Sequence, residues 1–188
     1  LQDGVSPTQM TAGYASIASG GMYRTPIFYT KVTDSKGNVL YESEKTEKRV
    51  MTEQVAYIAK DILKQPVISG TATYCKIAGM DVSAKTGTTN NYSDVWFMGY
   101  NPNITLGVWL GYKDLKLGLG TFNNQYGHPS SRVNRLWASL MNSLYDVNPE
   151  FIGTTEKYVR PANVVSASFC GISGMAPSEA CSEAGLVR

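Results

Sequence analysis

Histidine and cysteine are scarce: one His and three Cys in 188 residues. No two cysteines stand in C-x-x-C spacing, and His128 cannot complete a cysteine/histidine set, so no structural zinc site and no cofactor are expected. No run of eighteen apolar residues occurs, which excludes a membrane-spanning helix from this stretch, and no N-terminal signal pattern is present. Leu1-Gln2-Asp3-Gly4 opens without an initiator Met, so the expectation is a chain cut from something longer that carries such a segment. A single sign of charge is missing too: the formal net charge is +2, spread without a basic stripe, and nucleic acid is not an expected partner.

What is present is enough apolar material, 43% of residues, for one main domain and a small appendage. Ser6-Pro7 is a helix start, with Met10, Tyr14, Ile17 and Ala18 at helical spacing and Gly20-Gly21 as the stop. Runs at 27–32 and 39–41 around Asp34-Ser35-Lys36-Gly37-Asn38 predict a β-hairpin. Thr52, Val55, Ile58, Ala59, Ile62 and Leu63 predict a second helix, capped by Thr52 and ended by Pro66. Val82 to Tyr100 reads as two strands joined at Thr89-Asn90-Asn91, and 104–112 as a third, giving an antiparallel meander. A helix follows from Ser130 to Leu144, so helices precede and follow a sheet in an α/β layered domain. Beyond Asn148-Pro149 the periodicity is lost, dividing the chain into a body at 1–148 and a tail at 149–188. In that tail Cys170 and Cys181 flank a Gly/Ser/Pro-rich stretch, and a disulfide between them or a pair of free thiols both fit.

The segment Gly79-Met80-Asp81-Val82-Ser83-Ala84-Lys85-Thr86 nearly spells the phosphate-binding loop G-x-x-x-x-G-K-[ST]. Ala84 stands where the second glycine must let backbone wrap a phosphate, and Gly87 and Asn90-Asn91 break the helix such a loop should open. A nucleotide site is therefore set aside.

The same lysine has a better reading. The run K-T-G-T-T-N at Lys85–Asn90, followed by D-V-W-F-M-G-Y and G-V-W-L-G-Y, resembles the transpeptidase domain of class A penicillin-binding proteins, the bifunctional peptidoglycan synthases. G-V-S-P-T-Q-M-T-A-G-Y upstream and S-G-T-A-T before the strand strengthen the likeness, which covers roughly residues 4 to 145. The family uses S-x-x-K, S-x-N and K-T-G. Only the third is here, because no serine has Lys three places on or Asn two places on. The resemblance thus implies the C-terminal part of a transpeptidase domain, with the nucleophile upstream. It implies an α/β fold of the penicillin-binding protein and serine β-lactamase type, an antiparallel sheet with helices packed on both faces, incomplete in this chain.

The implied activity is cross-linking of peptidoglycan stem peptides by serine acyl transfer, blocked by β-lactam antibiotics, at the extracytoplasmic face of a bacterial membrane. This chain alone is expected to be inactive and to need the N-terminal part of the same domain as its partner. By resemblance, Lys85 supplies positive charge to the cleft, and the Thr86 and Thr88 hydroxyls hold the substrate or β-lactam carboxylate. Gly87 lets substrate backbone lie alongside, the Thr88 N–H gives half of an oxyanion hole, and Thr89 continues the binding strand.

Rival readings exist. Lys85 could be a solvated lysine at a strand end. Asp94 is read as orienting the turn and touching no substrate, and Trp96, Phe97, Trp109 and Tyr112 as sheet-face core. Tyr92 is open between cleft and surface, and His128 is read as structural. A non-catalytic module that binds stem peptide or a partner protein is the alternative function, and a serine β-lactamase a poorer one.

Overall fold

The computed structural model describes residues 4–77, 79–114, 116–120, 127–153 and 156–188. Helix α1 (Pro7–Ala18) starts at a capping box: the Ser6 hydroxyl accepts from the Gln9 N–H at 3.2 Å, and Gln9 Oε1 accepts from the Ser6 N–H at 2.9 Å. It is followed by β1 (Met22–Arg24), which pairs with β4 (Glu47–Arg49), and between them β2 (Lys31–Thr33) pairs with β3 (Val39–Glu42). The expected hairpin is there, though its first strand begins at Lys31 and leaves Ile27 to Thr30 outside the ladder. Asp34 fixes the turn, its Oδ1 accepting from the N–H groups of Lys36 and Asn38 at 2.8 Å each.

Helix α2 (Glu53–Ser69) is capped by Thr52, whose hydroxyl accepts from the Val55 N–H at 3.3 Å. Pro66 does not end it: the helix runs on for three residues to Ser69. A proline this close to the C-terminus removes one backbone bond where the ladder is about to stop. Its own carbonyl still accepts from the N–H groups of Gly70 and Ala72.

The meander is β5 (Ser83–Thr88), β6 (Asp94–Tyr100) and β7 (Thr105–Gly111), antiparallel in the order β5-β6-β7. Helix α3 (Pro129–Val147) covers one face, with Trp137 against Phe97 at 5.4 Å between ring centroids, both fully buried. The other face meets α1, where Tyr14 lies 6.4 Å from Tyr100. Helices thus flank both faces of an antiparallel sheet, and a core of Val82, Ala84, Val95, Phe97, Val133 and Trp137 joins the sheet to α3.

Of the four aromatics read as core, only Phe97 is. Trp96 and Trp109 are half-buried and pair at 6.3 Å on the α1 side of the sheet. Tyr112 lies just past the end of β7 and is exposed, with no helix or strand among the described residues covering it there. In the tail, two short helices, α4 (Pro149–Ile152) and α5 (Glu179–Glu183), appear where no periodicity was legible. Ile152 is buried in the main core, and Cys75, Cys170 and Cys181 are all free thiols.

Candidate active site

Lys85, Thr86, Gly87 and Thr88 lie on β5, at the edge of the three-stranded sheet, and Thr89 opens the turn to β6. The register sets their directions. Lys85 and Gly87 oppose Met98 and Trp96, while Thr86 and Thr88 oppose Phe97 and Val95. Side chains alternate along a strand, so the lysine projects on the α1 side and the two threonines on the α3 side. What they share is the strand edge. The Thr89 N–H donates to the Asp94 carbonyl at 3.0 Å, which makes that pair a hydrogen-bonded one. Alternation then turns the N–H and C=O of Thr88 and Thr86 away from β6, towards the open edge.

Lys85 is exposed, and its Nζ donates to the Thr86 carbonyl at 2.6 Å, one of these edge groups. The Thr86 and Thr71 hydroxyls are 3.1 Å apart. Thr71 belongs to the S-G-T-A-T block, to whose side chains sequence reading assigns no role, and no local signal singles it out because its partner Thr86 is fifteen residues away. Gly87 is half-buried, and a Cβ there would approach Trp96 Cβ to 3.3 Å, tighter than most real contacts. Its missing side chain leaves the strand surface flat above the Trp96 ring. Thr88 is exposed with no side-chain bond among the described residues.

The turn after β5 is held in an uncommon shape. Asn91 and Tyr92 both have positive φ, 64° and 56°, which is ordinary for Asn but strained for Tyr. Tyr92 is half-buried edge-on against the His128 ring at 5.1 Å, and its carbonyl accepts from the Leu119 N–H at 3.0 Å. Asp94 closes the turn. Its N–H donates to the Thr89 hydroxyl at 2.9 Å, and its Oδ1 accepts from Trp109 Nε1 on β7 at 3.0 Å. His128 is the cap of α3, with Nδ1 accepting from the Ser130 N–H at 3.3 Å. Arg132 gathers the carbonyls of Leu119, Gly120 and Gly127 at 2.7 to 3.3 Å, tying Leu119, which bonds Tyr92, to the start of α3.

At its root, β5 is pinned by Ser83, whose fully buried hydroxyl donates to the Lys60 carbonyl at 2.8 Å. Lys60 itself is buried, which pushes its pKa down, and its Nζ donates to the Ala18 carbonyl at the end of α1 at 3.4 Å. Among the described residues no group of three or more His, Cys, Asp or Glu could hold a metal, and no helix is long and apolar enough to cross a membrane. A groove of about 700 Å³ runs between α1 and β7.

Comparison with known proteins bears on this strand. The family described as the penicillin binding protein transpeptidase domain matches residues 3–130. Penicillin-binding protein 1A of Clostridium tetani is 37% identical over 185 residues, covering 95% of this chain and 22% of that protein. Its namesake from Clostridium botulinum is 32% identical over 180 residues, covering 95% of this chain and 20% of that protein. The chain therefore spans about a fifth of the length of these relatives. In the crystal structure of penicillin-binding protein 1A from Haemophilus influenzae the fold recurs with a TM-score of 0.73 at 20% identity, over 93% of this chain and 31% of that one.

Proposed function

Because the chain belongs to the penicillin-binding protein transpeptidase domain family, we propose that it forms the K-T-G wall of a DD-transpeptidase cleft that cross-links peptidoglycan stem peptides. The nucleophilic serine and its lysine partner come from the remainder of the protein. That serine attacks the penultimate D-alanyl carbonyl, its proton passing to the departing D-alanine amine, and an amine of a second stem resolves the acyl-enzyme. A β-lactam enters as the donor does and stays as a stable acyl group.

One observation carries this reading: the main-chain N–H groups of Thr86 and Thr88 lie on the open edge of β5, beside an exposed Lys85. An extended donor peptide adds to that edge as a further strand. The Thr88 N–H joins the N–H of the nucleophile as an oxyanion hole, where each donor is worth roughly 2.7 to 4 kcal/mol in such sites. Lys85 gives up its bond to the Thr86 carbonyl when a carboxylate arrives and supplies positive charge. The Thr86 and Thr88 hydroxyls hold that carboxylate from the other side, with Thr71 orienting Thr86, and Thr89 extends the edge.

Residues 1–148 are the catalytic portion in this reading and 149–188 an extension docked on it. The substrate lies outside the cytoplasm, so the protein works at the extracytoplasmic face of the bacterial membrane, anchored by a segment beyond this chain. Fluorescent penicillin labelling tests the proposal. The complete protein gives a labelled band and residues 1–188 alone do not. A complete protein that fails to label while folded supports a non-catalytic module that binds stem peptide.

A further inference from the structure

We infer that the tail residue Tyr158 is a positioning residue for the K-T-G strand, closing a clasp over the root of β5 and the end of β6. This rests on the catalytic reading of β5 given above and adds to it a residue outside the 3–130 stretch that matches the family.

Residues 156–160 form no helix or strand, and of the five only Tyr158 is turned inwards. It grips both strands at once. Its N–H donates to Asp81 Oδ2 at 3.1 Å, two residues before β5 begins. Its hydroxyl donates to the carbonyl of Tyr100, the last residue of β6, at 3.0 Å. Ser83 and Tyr100 are cross-strand partners, so these two bonds bracket the first rung of the ladder.

The neighbours reinforce the grip. Asp81 Oδ1 receives Lys64 Nζ at 3.4 Å and Lys157 Nζ at 3.6 Å, and Lys157 also donates to the Gly79 carbonyl at 2.7 Å. The Tyr158 ring lies 5.0 Å under Lys60 Nζ, and the carbonyl of that lysine accepts the Ser83 hydroxyl. Burial works against the Asp81 charge, but the Tyr158 N–H and the two lysines outweigh it and hold the carboxyl below its ordinary range. The clasp is therefore closed and charged at neutral pH.

Its consequence for the site is geometric. Lys85 is two residues beyond Ser83 on the same face, about 7 Å along the strand. On an edge strand paired on one side only, the angle set at the root fixes where the Lys85 charge and the Thr88 N–H point. Misplacement by about 1 Å in such sites costs up to about a hundredfold in rate.

The test is made in the complete protein with Tyr158→Phe, which removes the hydroxyl and keeps the ring and backbone, alongside Asp81→Asn and Lys85→Ala. The clasp is supported if Tyr158→Phe lowers the rate of penicillin acylation roughly tenfold with little change in the affinity of the preceding encounter. It must also speed hydrogen exchange at the amides of Ser83, Lys85 and Gly87, which the register turns towards β6, while those of α3 keep their protection; a general loss of stability would raise both together. Asp81→Asn should act in the same direction, and it serves as the decisive variant if Tyr158→Phe does not fold. Wild-type acylation and β5 protection in Tyr158→Phe, with Lys85→Ala impaired, overturns the clasp and leaves the catalytic reading intact. Unimpaired Lys85→Ala overturns the catalytic reading itself.

Discussion

Trp137 lies across the bare Cα of Gly99: a Cβ on that glycine would come within 2.5 Å of Trp137 Cε2. The ring cannot retreat. Phe97 backs it, and its Nε1 donates to the carbonyl of Leu106, the cross-strand partner of Gly99, at 2.9 Å. Gly99→Ala therefore forces either the ring or β6 to move. Overpacking of this kind costs about 1 to 3 kcal/mol, seen as a lower midpoint in thermal unfolding of the complete protein. An unchanged midpoint would show that α3 is free to shift on the sheet.

The bond from Trp109 Nε1 to Asp94 Oδ1 gives a second prediction. Asp94→Ala leaves a half-buried indole N–H unpaired and loosens the turn, costing about 1 to 3 kcal/mol of stability. Because Asp94 touches no substrate in this account, the acylation rate should fall far less than for Lys85→Ala. A loss equal to that of Lys85→Ala would move Asp94 into the cleft.

The tail thiols should behave as a pair. N–H groups of Ser173 and Ile172 and the Cys181 thiol draw Cys170 from its ordinary value down to about 6, whereas burial pushes Cys75 up to about 12. With oxidised glutathione, Cys181 forms the mixed disulfide and releases one glutathione thiolate. The Cys170 thiolate then displaces the second and closes a Cys170–Cys181 bond. This closure depends on the ionised form of Cys170, so it slows as pH falls through the folded value. Intact mass should show the closed form accumulating readily above about pH 6 and ever more slowly below it. Closing a loop of about ten residues stabilises the tail by at most roughly 3 kcal/mol. Loss of Cys75 instead, or a pH-independent rate, would contradict the pairing.

Much of the body could be read from sequence because local signals and global packing agree there. Ser6-Pro7, Thr52 and the β-forming run from Val95 to Tyr100 each name their element before any contact is known. Pro66 misled because a proline signals the loss of one bond, and only position within the helix decides whether that bond mattered. Tyr112 misled because β-forming character does not say whether a neighbouring element exists to cover it. The K-T-G strand was legible as a motif. Its edge position, the opposite faces of Lys85 and Thr86, and the partnership of Thr71 with Thr86 were not, since they follow from register and from a segment fifteen residues away. The Tyr158 clasp was beyond reach for the same reason: it joins residues 58 and 77 positions apart.

Thr88→Val separates the hydroxyl of this residue from its N–H. It removes one contact to the substrate carboxylate and keeps the edge N–H assigned to the oxyanion hole, so acylation should weaken by about 1 to 3 kcal/mol. A loss greater than that of Lys85→Ala would place the hydroxyl, rather than the lysine, at the centre of carboxylate recognition.

The most direct measurement is the β-lactam acylation rate of Lys85→Ala in the complete protein, compared with wild type at matched thermal stability. The lysine charge acts where an oxyanion develops and a carboxylate docks, so its loss should slow acylation by about 2 to 4 kcal/mol, roughly 30- to 1000-fold. A rate near wild type would mean that Lys85 does no more than donate to the Thr86 carbonyl at the strand edge, and the assignment of β5 as the wall of a transpeptidase cleft would fall.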